Sequence, residues 1–487
     1  MIDVLLTYPK ERVNYFHYMI PMGLAYIAGL LEQQGYSVKV LDFNFYHDDF
    51  QKDLKQWKPK IVGIGGTTAT RKGSFLTARL TREILPDTPI IYGGPHASFT
   101  ADDTLNHVPE IDYIVRSEGE FPFLHLTEHF TQTREHNISN IAGLSFRNGN
   151  KNQHNKIQRI QNLDSLPLPA RHLFDGQYHI SLDFVGVDAE FLMTSRGCTH
   201  GCSFCAATKM FPGGIRYRSM NHVQQEIEDI LSRKKIGGLK IFDSTFTASK
   251  EHVLNFCEMI KPYHLLWECE VRADTVDYEL LRQMKEAGCC YIDIGLETAN
   301  QKLLDQLNKQ IRPEQVENVL DWAGQLDIRT KVFFIFGHLN QTIPDCLEDI
   351  AYLKTHKEKI DLFSISVGMK VYPGTPLEKQ CQKAGIIPPD FSWATYCPPK
   401  LNYLLFLFDD MMFVIQKQLN HFHLFGIMVR LFFKGMLSSR EYARKLVKLN
   451  IKKFLHILYI KLLFTSRRIH RKLKSIRSNI AYSMKIF

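Results

Sequence analysis

Three cysteines fall within eight residues, in the stretch Thr194-Ser195-Arg196-Gly197-Cys198-Thr199-His200-Gly201-Cys202-Ser203-Phe204-Cys205. Thiolates spaced by four and then three positions can wrap a loop around one face of a cubic iron–sulfur cluster and leave one iron open. A closed zinc site is the alternative, and it needs a fourth ligand such as His200 or a remote side chain. Inert buried thiols are the plainest reading. The flanking glycines, and the lack of a matching second cysteine pair, favour the cluster. The other seven cysteines, from Cys257 to Cys397, show no ligand spacing and read as small buried hydrophobes.

Such a loop must be held by regular elements, and the sequence predicts two series of them. Residues 1–131 alternate β-branched runs (Val4–Tyr8, Val38–Asp42, Ile61–Gly65, Pro89–Tyr92, Ile111–Val115) with amphipathic stretches. Leu24, Ile27, Ala28 and Leu31 recur at helical spacing, and Gly35 stops that helix. This alternation implies a doubly wound, flavodoxin-like parallel sheet whose ligand sits beyond the carboxyl ends of its strands. Gly63, Gly65 and Gly66, and then Gly93-Gly94-Pro95-His96, stand at those ends. They permit close approach to a large ligand, or simply make tight strand–helix turns.

Residues 132–184 lose this periodicity and read as a linker, with a hairpin at Asn148-Gly149 and a proline-broken run, Leu166-Pro167-Leu168-Pro169. From Glu190 six strand–helix units follow, with strands at Phe191–Ser195, Leu239–Phe242, Trp267–Val271, Tyr291–Ile294, Lys331–Phe336 and Phe363–Val367. They suit a partial barrel over 185–400, and the cysteines fall at the carboxyl end of its first strand, where barrel enzymes carry their sites.

The 487 residues have ordinary globular composition, 45% apolar and 23% charged, which excludes collagen-like, disordered and disulfide-framework classes. The net charge of +9 is unevenly spread. From Leu401 to Phe487 there are 17 Lys and Arg against Asp409, Asp410 and Glu441, while residues 1–400 are mildly acidic. In this tail Val447, Ile451, Phe454, Leu458 and Leu462 share a helical face, with Lys445, Lys448 and Lys452 opposite. Such a helix can lie on an anionic membrane surface or cap the barrel with a solvated basic face. Nucleic-acid binding is not expected, since the aromatics belong to apolar faces. No export signal opens the chain and no run is long enough to span a membrane, so the expected location is the cytoplasm, with peripheral attachment at the inner face of the membrane as an option.

Cys198, Cys202, Phe204 and Cys205 match the cysteine loop of the radical S-adenosylmethionine (SAM) superfamily, which the chain resembles. The first domain resembles the cobalamin-binding domain of the subgroup that joins both modules, through Pro21–Ala28, Gly93-Gly94-Pro95-His96, Asp112–Val115 and Glu118-Gly119-Glu120. The resemblance covers about residues 1–380. It implies an enzyme in which the three cysteines hold a 4Fe–4S cluster whose open iron chelates SAM. Reductive cleavage would then give a 5′-deoxyadenosyl radical that abstracts hydrogen from an unactivated carbon. It implies SAM contacts at Phe204, Asp243, Arg272, Glu297 and Gly337, and cobalamin contacts at Gly65, Gly93, Gly94 and His96. Flavodoxin or ferredoxin would donate electrons, and methyl transfer to a small-molecule or lipid-like substrate would be the outcome. Radical rearrangement, cyclisation or coupling is the alternative within enzymes, and a zinc-stabilised membrane- or RNA-binding module the alternative outside them.

The sequence departs from the subgroup in two places. Residues 1–131 contain no Asp-x-His-x-x-Gly string, so no histidine of that motif would ligate cobalamin. The fifth-strand loop reads Gly337-His338-Leu339-Asn340-Gln341-Thr342 instead of Gly-x-Pro-Gly-Glu-Thr.

Overall fold

The computed structural model describes residues 2–10, 19–174, 178, 180–182, 185–367 and 369–396. The expectations for the basic tail from residue 401, and for Cys397, lie outside them.

The first sheet has seven strands: β1 (Val4–Tyr8), β2 (Val38–Asp42), β3 (Ile61–Gly65), β4 (Ile90–Gly93), β5 (Tyr113–Val115), β6 (Leu144–Asn148) and β7 (Lys151–His154). Their order is β2-β1-β3-β4-β5-β6-β7, with the first five parallel. This is the doubly wound arrangement expected, and the order reverses between β1 and β3. Val4, Leu6, Ile61 and Ile91 are fully buried beneath Leu24, Ala28 and Leu31 of the helix Met22–Gln33. The opposite face packs Leu5, Val62 and Ile64 on Phe75 and Ala78 of the helix Arg71–Ile84.

The stretch expected as a linker contributes more than a connection. Its Asn148-Gly149 hairpin forms β6 and β7, and β6 pairs antiparallel with β5, extending the first sheet. The buried Leu144 gives the hairpin one apolar face to cover. The proline-broken run then crosses the first helix so closely that a β-carbon on Gly29 would lie 2.5 Å from the Leu168 carbonyl oxygen. Ala170 N–H completes the contact by donating to the Ala25 carbonyl.

The second sheet contains β8 (Ile180–Ser181), β9 (Asp188–Leu192), β12 (Gly238–Ile241), β13 (Leu266–Val271), β14 (Cys289–Glu297), β15 (Arg329–Phe336) and β16 (Leu362–Val367). Between them in sequence, β10 (Ser195–Arg196) and β11 (Arg216–Tyr217) form a separate antiparallel pair. The order β16-β15-β14-β13-β12-β9-β8 holds the six expected parallel strands, with β8 antiparallel at the edge. This sheet curls into the partial barrel. Trp267, Ile292, Val332 and Phe334 bury its convex side under the helices. The other face of β13–β15 carries the charged side chains. The first barrel strand ends three residues earlier than expected, because Thr194 and Ser195 turn aside to hydrogen-bond Asp243. Among the described residues no helix is long and apolar enough to cross a membrane.

Candidate active site at the carboxyl edge of the partial barrel

Gly197, at φ +106°, turns the chain into the cysteine loop, and a β-carbon there would meet the Gly214 carbonyl oxygen at 2.5 Å. The three thiols are free. His200 N–H donates to Cys198 Sγ at 3.4 Å, and Ala207 N–H donates to Cys205 Sγ at 3.5 Å. Burial pushes the Cys202 thiol up, opposed by the cations of Lys309 and Arg272. Burial also pushes Cys205 up, opposed by the Ala207 N–H. The thiols sense one another electrostatically, yet among the described residues no three His, Cys, Asp or Glu side chains converge on one ion. The N–H donors and cations beside these sulfurs favour thiolates, the form in which cysteines ligate an iron–sulfur cluster.

The expected SAM residues surround this loop, with differing duties. Asp243 is buried, and its two oxygens accept four hydrogen bonds, from Thr194 N (2.8 Å), Thr194 Oγ1 (2.5 Å), Ser195 N (3.1 Å) and Ser195 Oγ (2.7 Å). It therefore clamps the chain that leads into the cysteines. Arg272 forms a bidentate pair with Asp274 at 2.9 Å, donates to the Lys309 carbonyl at 2.8 Å, and places Nη1 4.0 Å from Cys202 Sγ. Glu297 ends β14 at φ +72° and accepts from Lys309 Nζ at 2.9 Å. Gly337, at φ +88°, and His338 both donate backbone N–H bonds to Gln341 Oε1. Gln341 in turn donates to Asp349, which also holds Thr298 and Ala299, so the altered fifth-strand loop is tied to the end of β14. Phe204 packs beside Leu307, Met369 and Leu377, with Lys309 Nζ 5.9 Å from its ring centre.

Lys309 escaped the sequence reading. It lies beyond a helix rather than at a strand end, in a loop coiled by positive φ at Asn308 (52°) and Gln310 (57°). That loop docks on the cysteine loop through Ser203 N–H to the Leu307 carbonyl and Asn308 Nδ2 to the Gly201 carbonyl. Burial works against the Lys309 charge, but Glu297 and Cys202 beside it hold its pKa above the ordinary lysine value.

Also missed was how Glu118 and Glu120 are used. Arg196, two residues before Cys198, donates to Glu118 at 3.0 Å and to Glu120 at 2.7 Å, and Arg216 donates to Glu118 at 2.7 Å. All four side chains are buried, so the loop end of β5 and the approach to the cysteines are joined by ion pairs.

At the expected cobalamin positions the glycines are largely occupied by the chain itself. A β-carbon on Gly65 would press Leu24 at 3.2 Å, and one on Gly94 would strike the Gly66 carbonyl oxygen at 2.5 Å. Gly93 is different, for nothing lies nearer than 3.7 Å. His96 is fully buried, with Nδ1 3.2 Å from Thr68 Oγ1, Nε2 without a partner, and Phe75 and Trp393 around its ring. Burial, with Arg71 nearby, depresses its pKa to about 3. Gly93 and Gly94, half-buried at the mouth of the first sheet, fit a ligand surface; His96 lies behind it. A cavity of about 450 Å³, lined by Gln301, Asp305, Gln310 and Arg312, contains none of the expected site residues.

Fold and site together define a class: a two-module α/β enzyme with a doubly wound ligand-binding sheet and a cysteine loop at the rim of a partial barrel. Residues 12–127 match the B12 binding domain, and residues 192–353 match the radical SAM superfamily. An uncharacterized methyltransferase of Pyrococcus horikoshii is 30% identical over 364 residues, covering 73% of this chain and 77% of the relative. An anaerobic magnesium-protoporphyrin IX monomethyl ester cyclase of Cereibacter sphaeroides is 29% identical, over 66% of this chain and 54% of its own. The radical SAM methyltransferase TsrM of Kitasatospora setae shares the fold with a TM-score of 0.65 at 18% identity, over 79% of this chain and 75% of that one. The chain belongs to the radical SAM superfamily, in the group that carries a B12-binding domain. The cofactors of this enzyme are a 4Fe–4S cluster, SAM and cobalamin.

Proposed function

We propose that the protein is a cobalamin-dependent radical SAM methyltransferase acting on an unactivated carbon of a small molecule. The observation that carries this reading is the cysteine loop, with three free thiols, N–H donors to two sulfurs and Arg272 and Lys309 beside the third. It stands in a chain whose first sheet is a B12-binding domain.

Cys198, Cys202 and Cys205 would hold the cluster, which supplies the electron for reductive cleavage of SAM when bound. Phe204, Glu297 and Gly337 would border SAM, with Arg272 and Lys309 steadying charge at Cys202. Asp243 acts at one remove, by fixing Thr194 and Ser195. Gly65, Gly93 and Gly94 would form the cobalamin surface, with His96 supporting it from the core. Residues 1–131, 132–184, 185–400 and 401–487 would be the cobalamin module, linker, catalytic core and tail.

Anaerobically reconstituted and reduced enzyme is expected to release 5′-deoxyadenosine from SAM, and Cys202→Ala to release none. SAM labelled in its methyl group is expected to label a product in a cell extract. Release of 5′-deoxyadenosine with an unlabelled product would instead favour cyclisation or rearrangement, the reading supported by the cyclase relative. The composition of the tail supports peripheral attachment to an anionic membrane. Removing residues 440–487 is then expected to abolish liposome binding while leaving iron content intact.

A further inference from the structure

One carboxylate on the concave side of the barrel, that of Glu270, forms no direct ion pair among the described residues. Glu270 (β13), Asp293 (β14) and Lys331 (β15) are register neighbours on three adjacent strands and lie on one face. In a strand, alternate residues face the same side, so this face continues through Glu268, Tyr291 and Phe333. The opposite face, with Trp267, Cys269, Ile292 and Val332, is buried under helices.

The other charges here are matched. Lys240 pairs with Glu268 at 2.7 Å, Lys331 with Asp293 at 3.3 Å and Lys309 with Glu297 at 2.9 Å. Glu270 forms no hydrogen bond and no ion pair among the described residues. Glu270 is an exposed residue on the concave face, with the barrel's charged groups, among them Asp293 and Lys331, near its carboxyl. That combination belongs to a group on the wall of an open hollow. Enclosure pushes its pKa up to about 7; Asp293 and Glu297 add to the rise, and Lys331 and Lys309 moderate it. A lone acid in such a place is costly unless something charged or polar comes to meet it. Phe242, 47% exposed at the end of β12, and the half-buried Phe333 add apolar surface to the same barrel. Glu270 lies two residues before Arg272, hence about 7 Å along the strand from the level of Cys202.

We propose that this hollow is the substrate-recognition site and that Glu270 pairs with a protonated amine on a substrate with an apolar body. The inference rests on the enzymatic reading above and adds the substrate class. Arginine or lysine from the protein would have served a structural role; a vacant acid facing open space serves a ligand.

The test uses the full chain with its cluster, cobalamin and SAM bound, and compares equilibrium binding of 2-phenylethylamine with that of 2-phenylethanol. Wild type is expected to prefer the amine at least about tenfold, on the scale of a charge-assisted hydrogen bond. Glu270→Gln brings the ratio close to one and Glu270→Asp retains a preference. Equal binding of both probes by wild type, or a preference that survives Glu270→Gln, overturns the proposal. A parallel loss of SAM affinity in Glu270→Gln would assign the carboxylate to the SAM subsite and equally overturn it. Failure of the enzymatic reading shows separately, as absence of 5′-deoxyadenosine from reduced wild type.

Discussion

At the carboxyl ends of the first sheet stand glycines, with neutral side chains and backbone closing around Gly65 and Gly94. The same ends of the partial barrel carry Asp243, Arg272 and Glu297, all buried and all paired. Two parallel sheets of similar make thus solve the ligand problem differently. Around Gly65, Gly93 and Gly94 the first is electrically quiet, as suits a bulky ligand held by shape, and its charges, Glu118 and Glu120, are turned to the ion pairs with Arg196 and Arg216. The second fixes charges in advance around a loop that must carry thiolates, so that little reorganisation remains when a charged cofactor arrives.

The sharpest way to break this comparison is at the cysteine loop. Cys202→Ala is expected to abolish cluster assembly, with iron content at background, while the B12-binding sheet still binds cobalamin. Next in size is the junction between the modules. Glu118→Gln leaves the buried Arg196 and Arg216 with a weakened partner, and losing a buried ion-pair partner costs about 3–5 kcal/mol. A denaturation midpoint that stayed put would show the junction to be energetically idle. By contrast, Glu279→Gln at the exposed Arg282 pair should leave the denaturation midpoint unchanged, because solvent screens that pair.

The glycines provide two smaller tests. Gly94→Ala combines positive φ with a backbone clash and is expected to lower stability by about 1–3 kcal/mol. Gly93→Ala has room for its methyl group and should change stability by less than about 0.5 kcal/mol, so any loss of cobalamin affinity there reports on ligand contact. His96 gives a pH test. Its folded pKa of about 3 lies below an unfolded value near 6.5, so the unfolded chain takes up the proton first. Its contribution is complete above pH 6.5 and shrinks as pH falls toward 3. Stability should drop by about 2 kcal/mol between pH 7 and pH 5 on its account. That share of the slope should vanish in His96→Asn.

Much of this was legible because it is local. Val4–Tyr8 and Ile61–Gly65 were readable to the residue, since buried parallel strands are continuous apolar runs, and the edge strand Val38–Asp42 was readable from its alternation of apolar and polar residues. The cysteine loop announced itself by spacing. What stayed hidden depends on groups meeting across long stretches of chain. Glu118 and Glu120 stood out as part of a pattern, but their partner Arg196 lies nearly eighty residues on. Lys309 comes from a loop whose curl depends on left-handed Asn308 and Gln310, which no periodicity signals. Glu270 looked like an ordinary polar position in an alternating strand, because a sheet that faces solvent and one that faces a hollow share the same pattern.

The Arg71 guanidinium is fully buried and donates to the backbone carbonyl of Trp393, 322 positions later in the chain. At a synthesis rate of roughly 5–20 residues per second, that acceptor emerges roughly 16–64 s after the arginine. Throughout that interval the nascent first module holds this cation through its own contacts, among them the Thr68 carbonyl, without the acceptor at Trp393. Its maturation on the ribosome is therefore not strictly vectorial: the earliest part of the enzyme to be made is among the last to be closed.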